Sequence, residues 1–432
     1  MGLDPSKLGR RPRPPHSKTF PKELLDCGGV IGEIMSYTMN TAKRPNAPLA
    51  FAGAVSLLSM LMARVWRNSE NSRTPLYIIA LGDSGVGKQA ARTTNQKLAS
   101  EIGMADHVVG NFRSGEVLED FVLTKARLLS QYDEIDTLFR MMREDGSSLS
   151  EVMTGKMLDL WSDQGGYTKR RLLAANAANM KVNVPNVCYH PGFALYGTAV
   201  TERFYEAMND RMKTNGLFAR LLIVEAAPRA NRTSFIFRQP DQGLVDSLKS
   251  IAGVSAVTVA NQPGWNDTGA VIMRTCEADE LHNKYADEAD TYYDTENDGA
   301  DNALWSRAEE KMSKLEMIFA MSRDCGGIPR VMPEDVELAK LFVWHCTDYS
   351  LRLLKRYSAE TEFQVTANKI KEIIRKRRGV GHTKLLQLCH LSSSEFKEVI
   401  ETLVETGEVV DQKDRAANGK ETHYYAIGEE EE

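Results

Sequence analysis

Two short stretches carry residue types and spacing suited to phosphate chemistry. The first is Gly82-Asp83-Ser84-Gly85-Val86-Gly87-Lys88-Gln89. An apolar run, Leu76–Leu81, leads into it and Ala90–Ala99 reads as a helix behind it. Glycines let successive backbone N–H groups turn inward on a polyphosphate. A helix N-terminus adds a favourable dipole, and a lysine at the loop's end reaches the outer phosphates. Gly82 to Gln89 is therefore the candidate binding loop for ATP. The hydroxyl that normally follows the lysine and ligates magnesium is replaced by Gln89, whose amide oxygen is a longer, softer ligand for Mg2+. Nucleotide binding is the firmer expectation and fast hydrolysis the weaker one.

The second stretch is Ala126 to Asp136, a semi-apolar strand that ends in adjacent Asp133 and Glu134. Hydrolysis of a nucleoside triphosphate needs such a pair at the carboxyl end of a sheet. Asp133 is placed to orient the metal, with Gln89 as the other metal-side residue, and Glu134 to activate water. A solvated turn is the plain alternative. Gly192–Thr198 reads as a third buried strand ending in a hydroxyl. Thr198 then either senses the γ-phosphate or caps a helix. Arg220 stands at the mouth of the apolar run Leu221–Glu225, where it must find an anion or extend to water. In ring ATPases an arginine so placed serves as a finger to the neighbour's nucleotide.

These groups need a scaffold. At 432 residues the chain suits two or three domains, and 42% hydrophobic with 26% charged residues is ordinary for a globular protein. The net charge of −5 gives no global pull toward nucleic acid or an anionic membrane. The six cysteines include no C-x-x-C pair and no zinc spacing, which reads as reduced thiols. No apolar signal-peptide core opens the chain, the run Ala47–Val65 reads as a core helix rather than a membrane span, and the cytoplasm is the expected compartment.

The expected division is a flexible basic arm at 1–18, a helical lead-in at 19–73, an ATPase core at 74–240, a helical lid at 241–360, a winged helix-turn-helix at 361–428 and an acidic tail at 429–432. Within this, Ala226 to Trp265 reads as irregular. Ala303 to Met321 reads as one long amphipathic helix, and a helix opening at Pro333 ends near Tyr357. A hairpin built from Tyr167–Leu173 and Met180–Val184 carries Lys169, Arg170, Arg171 and Lys181, which suit either a nucleic-acid backbone or a solvated surface. The C-terminal segment offers three helices and two strands. Its third helix is acidic, so Arg377, Arg378, Lys413 and Arg415 are its better DNA contacts; a winged helix used for protein packing is the alternative.

The order of Phe20-Pro21, the apolar helix, Gly82–Lys88, Leu217-Phe218-Ala219-Arg220-Leu221-Leu222 and Trp305-Ser306-Arg307 resembles primase–helicase-like P-loop ATPases of phages and mobile elements, a domain of unknown function. The likeness runs from about Phe20 to Tyr357. The same segments look like the AAA+ module of minichromosome-maintenance helicases. That resemblance implies an AAA+-like α/β P-loop NTPase fold with a helical lid and C-terminal winged helix, assembled as a homo-hexameric ring around single-stranded or forked DNA. It also implies that Arg220 is a finger in trans, that Arg307 is a lid arginine facing a nucleotide, and that the Lys169–Lys181 segment is a hairpin aimed at the pore. Replication proteins would be further partners. Gln89 departs from the pattern, and a separate N-terminal DNA-binding or primase domain is not expected. The function expected is an ATP-driven DNA translocase or helicase of phage or mobile-element replication. The alternatives are an ATP-switched initiator or helicase loader with slow hydrolysis, and a nucleotide-gated defence or regulatory ATPase.

Overall fold

A computed structural model describes residues 19–112, 114–143, 148–170, 184–208, 216–234, 237–253, 264, 269–295, 299–377, 379–389, 391–415 and 421–427. The basic arm, the acidic tail, Arg171, Lys181 and Arg378 lie outside them. The chain divides into two compact units, Met1–Leu351 and Arg352–Glu432.

The first unit is mixed α/β around a five-stranded parallel sheet. Its strands are β1 (Tyr77–Leu81), β2 (Val108–Val109), β3 (Arg127–Tyr132), β4 (Gly192–Ala199) and β5 (Leu221–Glu225), in spatial order β2-β3-β4-β1-β5. Every residue of β1, β3 and β4 is buried, which is why β1 and β4 read as unbroken runs rather than alternating ones. Register is fixed on both sides of β1: Ile79 pairs with Gly197 of β4 and with Ile223 of β5. β4 therefore separates the loop after β1 from the carboxylates after β3. From β1 the chain crosses to the far edge at β2, returns through β3 and β4, and then passes β1 to form β5. In open parallel sheets such a switch point leaves a crevice at the carboxyl ends of the strands.

Helices α1 (Gly29–Thr41), α2 (Ala47–Met62) and α3 (Lys88–Glu101) pack on one another beside this sheet. In α2 every residue from Pro48 to Met62 is buried, and it contacts β1, β3, β4 and β5 as well as α1 and α3. At 16 residues it falls short of the ~20 a membrane span requires, and no helix among the described residues is long and apolar enough to cross a membrane. Its crossing with α3 is close because Gly53 has no side chain: a Cβ there would lie 2.6 Å from that of Ala91. Asn95 of α3 donates to the Gly53 carbonyl at 3.1 Å across the same contact.

Four elements differ from the sequence reading. The stretch after β5 contains a helix, Gln242–Ile251, capped by Asp241 and anchored by buried Leu244, Val245, Leu248 and Ile251; prolines on either side hide this apolar spacing. The single long helix expected from Ala303 is two, Gly299–Trp305 and Ala308–Arg323, parted at Ser306-Arg307. The expected break near Tyr357 is absent: one helix spans Pro333–Arg377, its first part in the first unit and its last in the second. The hairpin strand Tyr167–Lys169 pairs with Val187–Tyr189, while 171–183 lie outside the described residues.

The second unit holds helices His382–Cys389 and Ser393–Glu405 and a three-stranded antiparallel sheet of Val380–Gly381, Glu421–Ile427 and Val409–Arg415. Ile370, Ile374, Leu385, Phe396, Ile400 and Tyr425 form its core. A capping box opens Ser393–Glu405: Glu395 N–H donates to Ser392 Oγ at 3.3 Å, and Ser392 N–H to the Glu395 carboxylate at 3.1 Å.

Candidate nucleotide cleft

The glycine loop joins β1 to α3 at the carboxyl edge of the sheet. Gly87 precedes α3 with φ 98°, a left-handed backbone that glycine adopts freely, and a Cβ there would run into the Arg44 carbonyl oxygen. Lys88 is the first residue of α3, and its ammonium donates to the carbonyls of Gly82 at 2.5 Å and Ala199 at 3.0 Å. The amine thus sits where β1 and β4 end, folded over its own loop. Burial lowers the Lys88 pKa, opposed chiefly by the negative field of Asp133.

Asp133 follows β3 directly and is held from two sides. Arg92, one helical turn beyond Lys88, places a guanidinium nitrogen 2.8 Å from Asp133 Oδ2. The Thr198 hydroxyl lies 3.2 Å from Asp133 Oδ1 and 3.3 Å from the Tyr132 carbonyl. Thr198 is completely buried at the end of β4, outside the cleft lining, with its hydroxyl turned to the Asp133 carboxylate. Glu134 is exposed and has φ 52°, an uncommon backbone for a residue with a side chain. Asp136, buried behind it, pairs with Arg140.

A cleft of about 930 Å³ opens over this assembly. One wall is the loop and α3, with Ser84, Gly85, Gly87, Lys88, Gln89, Arg92 and Lys97; the other is the end of α1 and the chain after it, with Tyr37, Lys43 and Arg44. Arg232 and Phe237 close the rim. They belong to a strap, the chain that follows β5. It is tied to the second wall by hydrogen bonds: Tyr37 Oη to the Arg238 carbonyl at 2.9 Å, Arg44 to the Ala230 carbonyl at 2.8 Å, and Thr233 N–H to the Lys43 carbonyl at 3.0 Å. Buried Asn46 joins strap and loop, its amide donating to the carbonyls of Ala227 at 2.9 Å and Val86 at 3.3 Å. The guanidinium of Arg229, also on the strap, lies 3.6 Å from where a Cβ on Gly85 would stand.

The structure thus brings Ser84, Gly85, Gly87, Lys88, Gln89 and Asp133 to one cleft and leaves Glu134, Thr198, Arg220 and Arg307 outside its lining. Arg220 ends a short helix, Leu217–Arg220, and donates to the Gly216 carbonyl at 2.8 Å. Its pKa is lowered by burial first and by Arg307 second, with Glu310 opposing. Arg307 reaches Glu310 at 3.3 Å, and Lys314 stands 3.5 Å from the same carboxylate. The two arginines therefore belong to one neighbourhood organised by Glu310. Of the nucleic-acid candidates, Lys169 is exposed and lies over the Tyr167 ring at 5.1 Å, Arg170 N–H donates to the Asn186 carbonyl at 2.9 Å, and Arg377 closes its helix. Lys413 and Arg415 lie on the strand Val409–Arg415.

Gln89 and Asp133 are the side chains a divalent cation would use. As arranged, both oxygens of Asp133 are engaged, one by Arg92 and one by Thr198. The donor set fits a cation only when Arg92 withdraws. Arg92, Asn46 and the strap were not found by sequence reasoning. Arg92 was within reach, since it lies four residues after Lys88 on the same helical face; Asn46 and the strap gave no local signal.

No family profile matches the chain, and no curated protein matches it. Among solved structures it is similar to a protein titled "SCCmec type IV Cch - active helicase", at 10% identity and a TM-score of 0.27, over 95% of this chain and 70% of that one. A likeness of that size carries no assignment.

Proposed function

We propose that the chain is a P-loop ATPase that couples ATP binding and turnover to movement on DNA in the replication of a phage or mobile element. The observation that carries the nucleotide part is the cleft itself: a glycine loop, a lysine and an acidic strand end meet at the switch point of a parallel sheet. The backbone N–H groups from Gly85 to Gln89 receive the phosphates. Lys88 exchanges its two carbonyl partners for β- and γ-phosphate oxygens. Glu134 takes the proton of the attacking water. Thr198 keeps Asp133 in place. A divalent cation at Gln89 and Asp133 would neutralise charge developing on the phosphates.

The DNA part rests on the resemblance described for Phe20 to Tyr357, with the exposed Lys169 and the C-terminal unit, read as a winged helix, as its contacts. In the ring that this reading implies, Arg220 and Arg307 face the neighbouring subunit's nucleotide together, since both stand away from their own cleft. A second reading is favoured by the engaged state of Asp133: ATP acts as an assembly switch for an initiator or loader and is turned over slowly.

ATP turnover with and without single-stranded DNA, together with strand displacement on a forked substrate, separates the two. Strong DNA stimulation that is lost in Arg220→Ala, with fork opening, supports the motor. Tight binding with negligible turnover and no displacement rejects the motor and leaves the switch.

A further inference from the structure

We infer that Arg92 stands in for the divalent cation at the binding step: the cleft takes a nucleoside triphosphate without magnesium, Arg92 passing from Asp133 to the phosphates as it binds and leaving Asp133 open to the cation that turnover would use. This rests on the reading of the cleft as a nucleotide site. Three observations carry it.

The first is position. Arg92 and Lys88 are one turn apart on α3 and line the same cleft, so a polyphosphate seated on Lys88 lies within the sweep of the Arg92 side chain. The second is partnership. Arg92 spends one guanidinium nitrogen on Asp133 at 2.8 Å, and its buried Nε has no hydrogen-bond partner among the described residues. The Asp133 side chain is 60% exposed, and a pair so open to water is weak. A phosphate offers the same guanidinium two parallel acceptors and more charge. The third is charge balance. The cleft lining holds Lys43, Arg44, Lys88, Arg92, Lys97 and Arg232 against a single carboxylate, Asp133. Such a lining suits a bare polyphosphate, and Gln89, where a magnesium-ligating hydroxyl would stand, carries no charge to draw a cation in.

The test is titration of a fluorescent ATP analogue into the full chain, in magnesium and in excess EDTA. The native protein is expected to bind with Kd values within about threefold of each other in the two conditions. Arg92→Ala is expected to lose about tenfold in EDTA and to recover much of it in magnesium, and Arg92→Lys to restore part of the EDTA affinity. Asp133→Asn frees Arg92, so its EDTA affinity should equal or exceed the native value. Circular dichroism confirms that each variant is folded. The inference is overturned if the native protein loses tenfold or more in EDTA, if Arg92→Ala follows the native protein in both conditions, or if Asp133→Asn weakens EDTA binding. Absence of binding in both conditions would instead remove the nucleotide reading itself, and the inference with it.

Discussion

Two regions of the first unit concentrate charge, and they do so in opposite ways. The cleft gathers six cationic side chains around one carboxylate. Arg274 and the helices Cys276–Thr295 and Ala308–Arg323 share a network of paired charges instead. Glu316 there accepts from Arg274 Nε at 2.7 Å and faces His282 Nδ1 at 2.7 Å, with Glu309 3.6 Å from the other imidazole nitrogen. His282 and Glu316 are each about 1% exposed. A buried network that closes on itself has no charge left for a ligand and serves the fold. An unbalanced, solvent-open cluster gains most when an anion arrives. Charge that binds and charge that holds are thus separable within one unit, and substitutions in the two regions should move different observables.

The largest effect is expected at the cleft. Glu134→Gln should cut ATP turnover by about 10²–10⁴ while leaving nucleotide affinity and melting temperature near the native values; unchanged turnover would remove Glu134 as the base. The network should answer in the opposite sense. Glu316→Ala leaves Arg274 and His282 without their shared acceptor and should cost about 3–5 kcal/mol in urea unfolding. Its nucleotide Kd should hold, and a change confined to Kd would break the comparison.

A smaller and sharper effect is pH dependence. Burial alone would lower the His282 pKa, but the neighbouring carboxylates of Glu309 and Glu316 outweigh that and lift it to about 9. The folded value is above the unfolded ~6.5, so the contribution is fully present below pH ~6.5 and is lost as pH rises through about 9. Buried Lys311 and Lys314 are both lowered to about 8 and act in the other direction, favouring the fold as pH rises. They are common to native protein and His282→Gln, so the difference in melting temperature between the two should narrow between pH 6.5 and 9. A constant difference would mean that His282 is neutral in the fold.

The sequence was most readable where local pattern and burial coincide. The strands around the glycine loop are continuous apolar runs, and the placing of the loop's glycines, Lys88 and Asp133 at one cleft follows from their spacing after those runs. What stayed hidden was long-range. The strand order that sets β4 between loop and carboxylates depends on pairings across more than a hundred residues, such as Ile79 with Gly197. Asn46 reaches Ala227, and the strap returns to α1, with nothing in either segment to announce it. The helix Gln242–Ile251 was masked by flanking prolines, and Ser306-Arg307 broke a helix whose composition gave no reason for a break. Thr198 was left open between sensing a phosphate and capping a helix, two equally local options for a strand-end hydroxyl, and its approach to Asp133 depends on the register of β3 against β4.

The most direct test of the nucleotide cleft is calorimetric titration of a non-hydrolysable ATP analogue into the native chain and into Lys88→Ala. The account predicts saturable binding to the native protein and a loss of at least about tenfold in Lys88→Ala, with the fold intact by circular dichroism. Equal affinity in the two proteins, or no binding to the native chain, would contradict it.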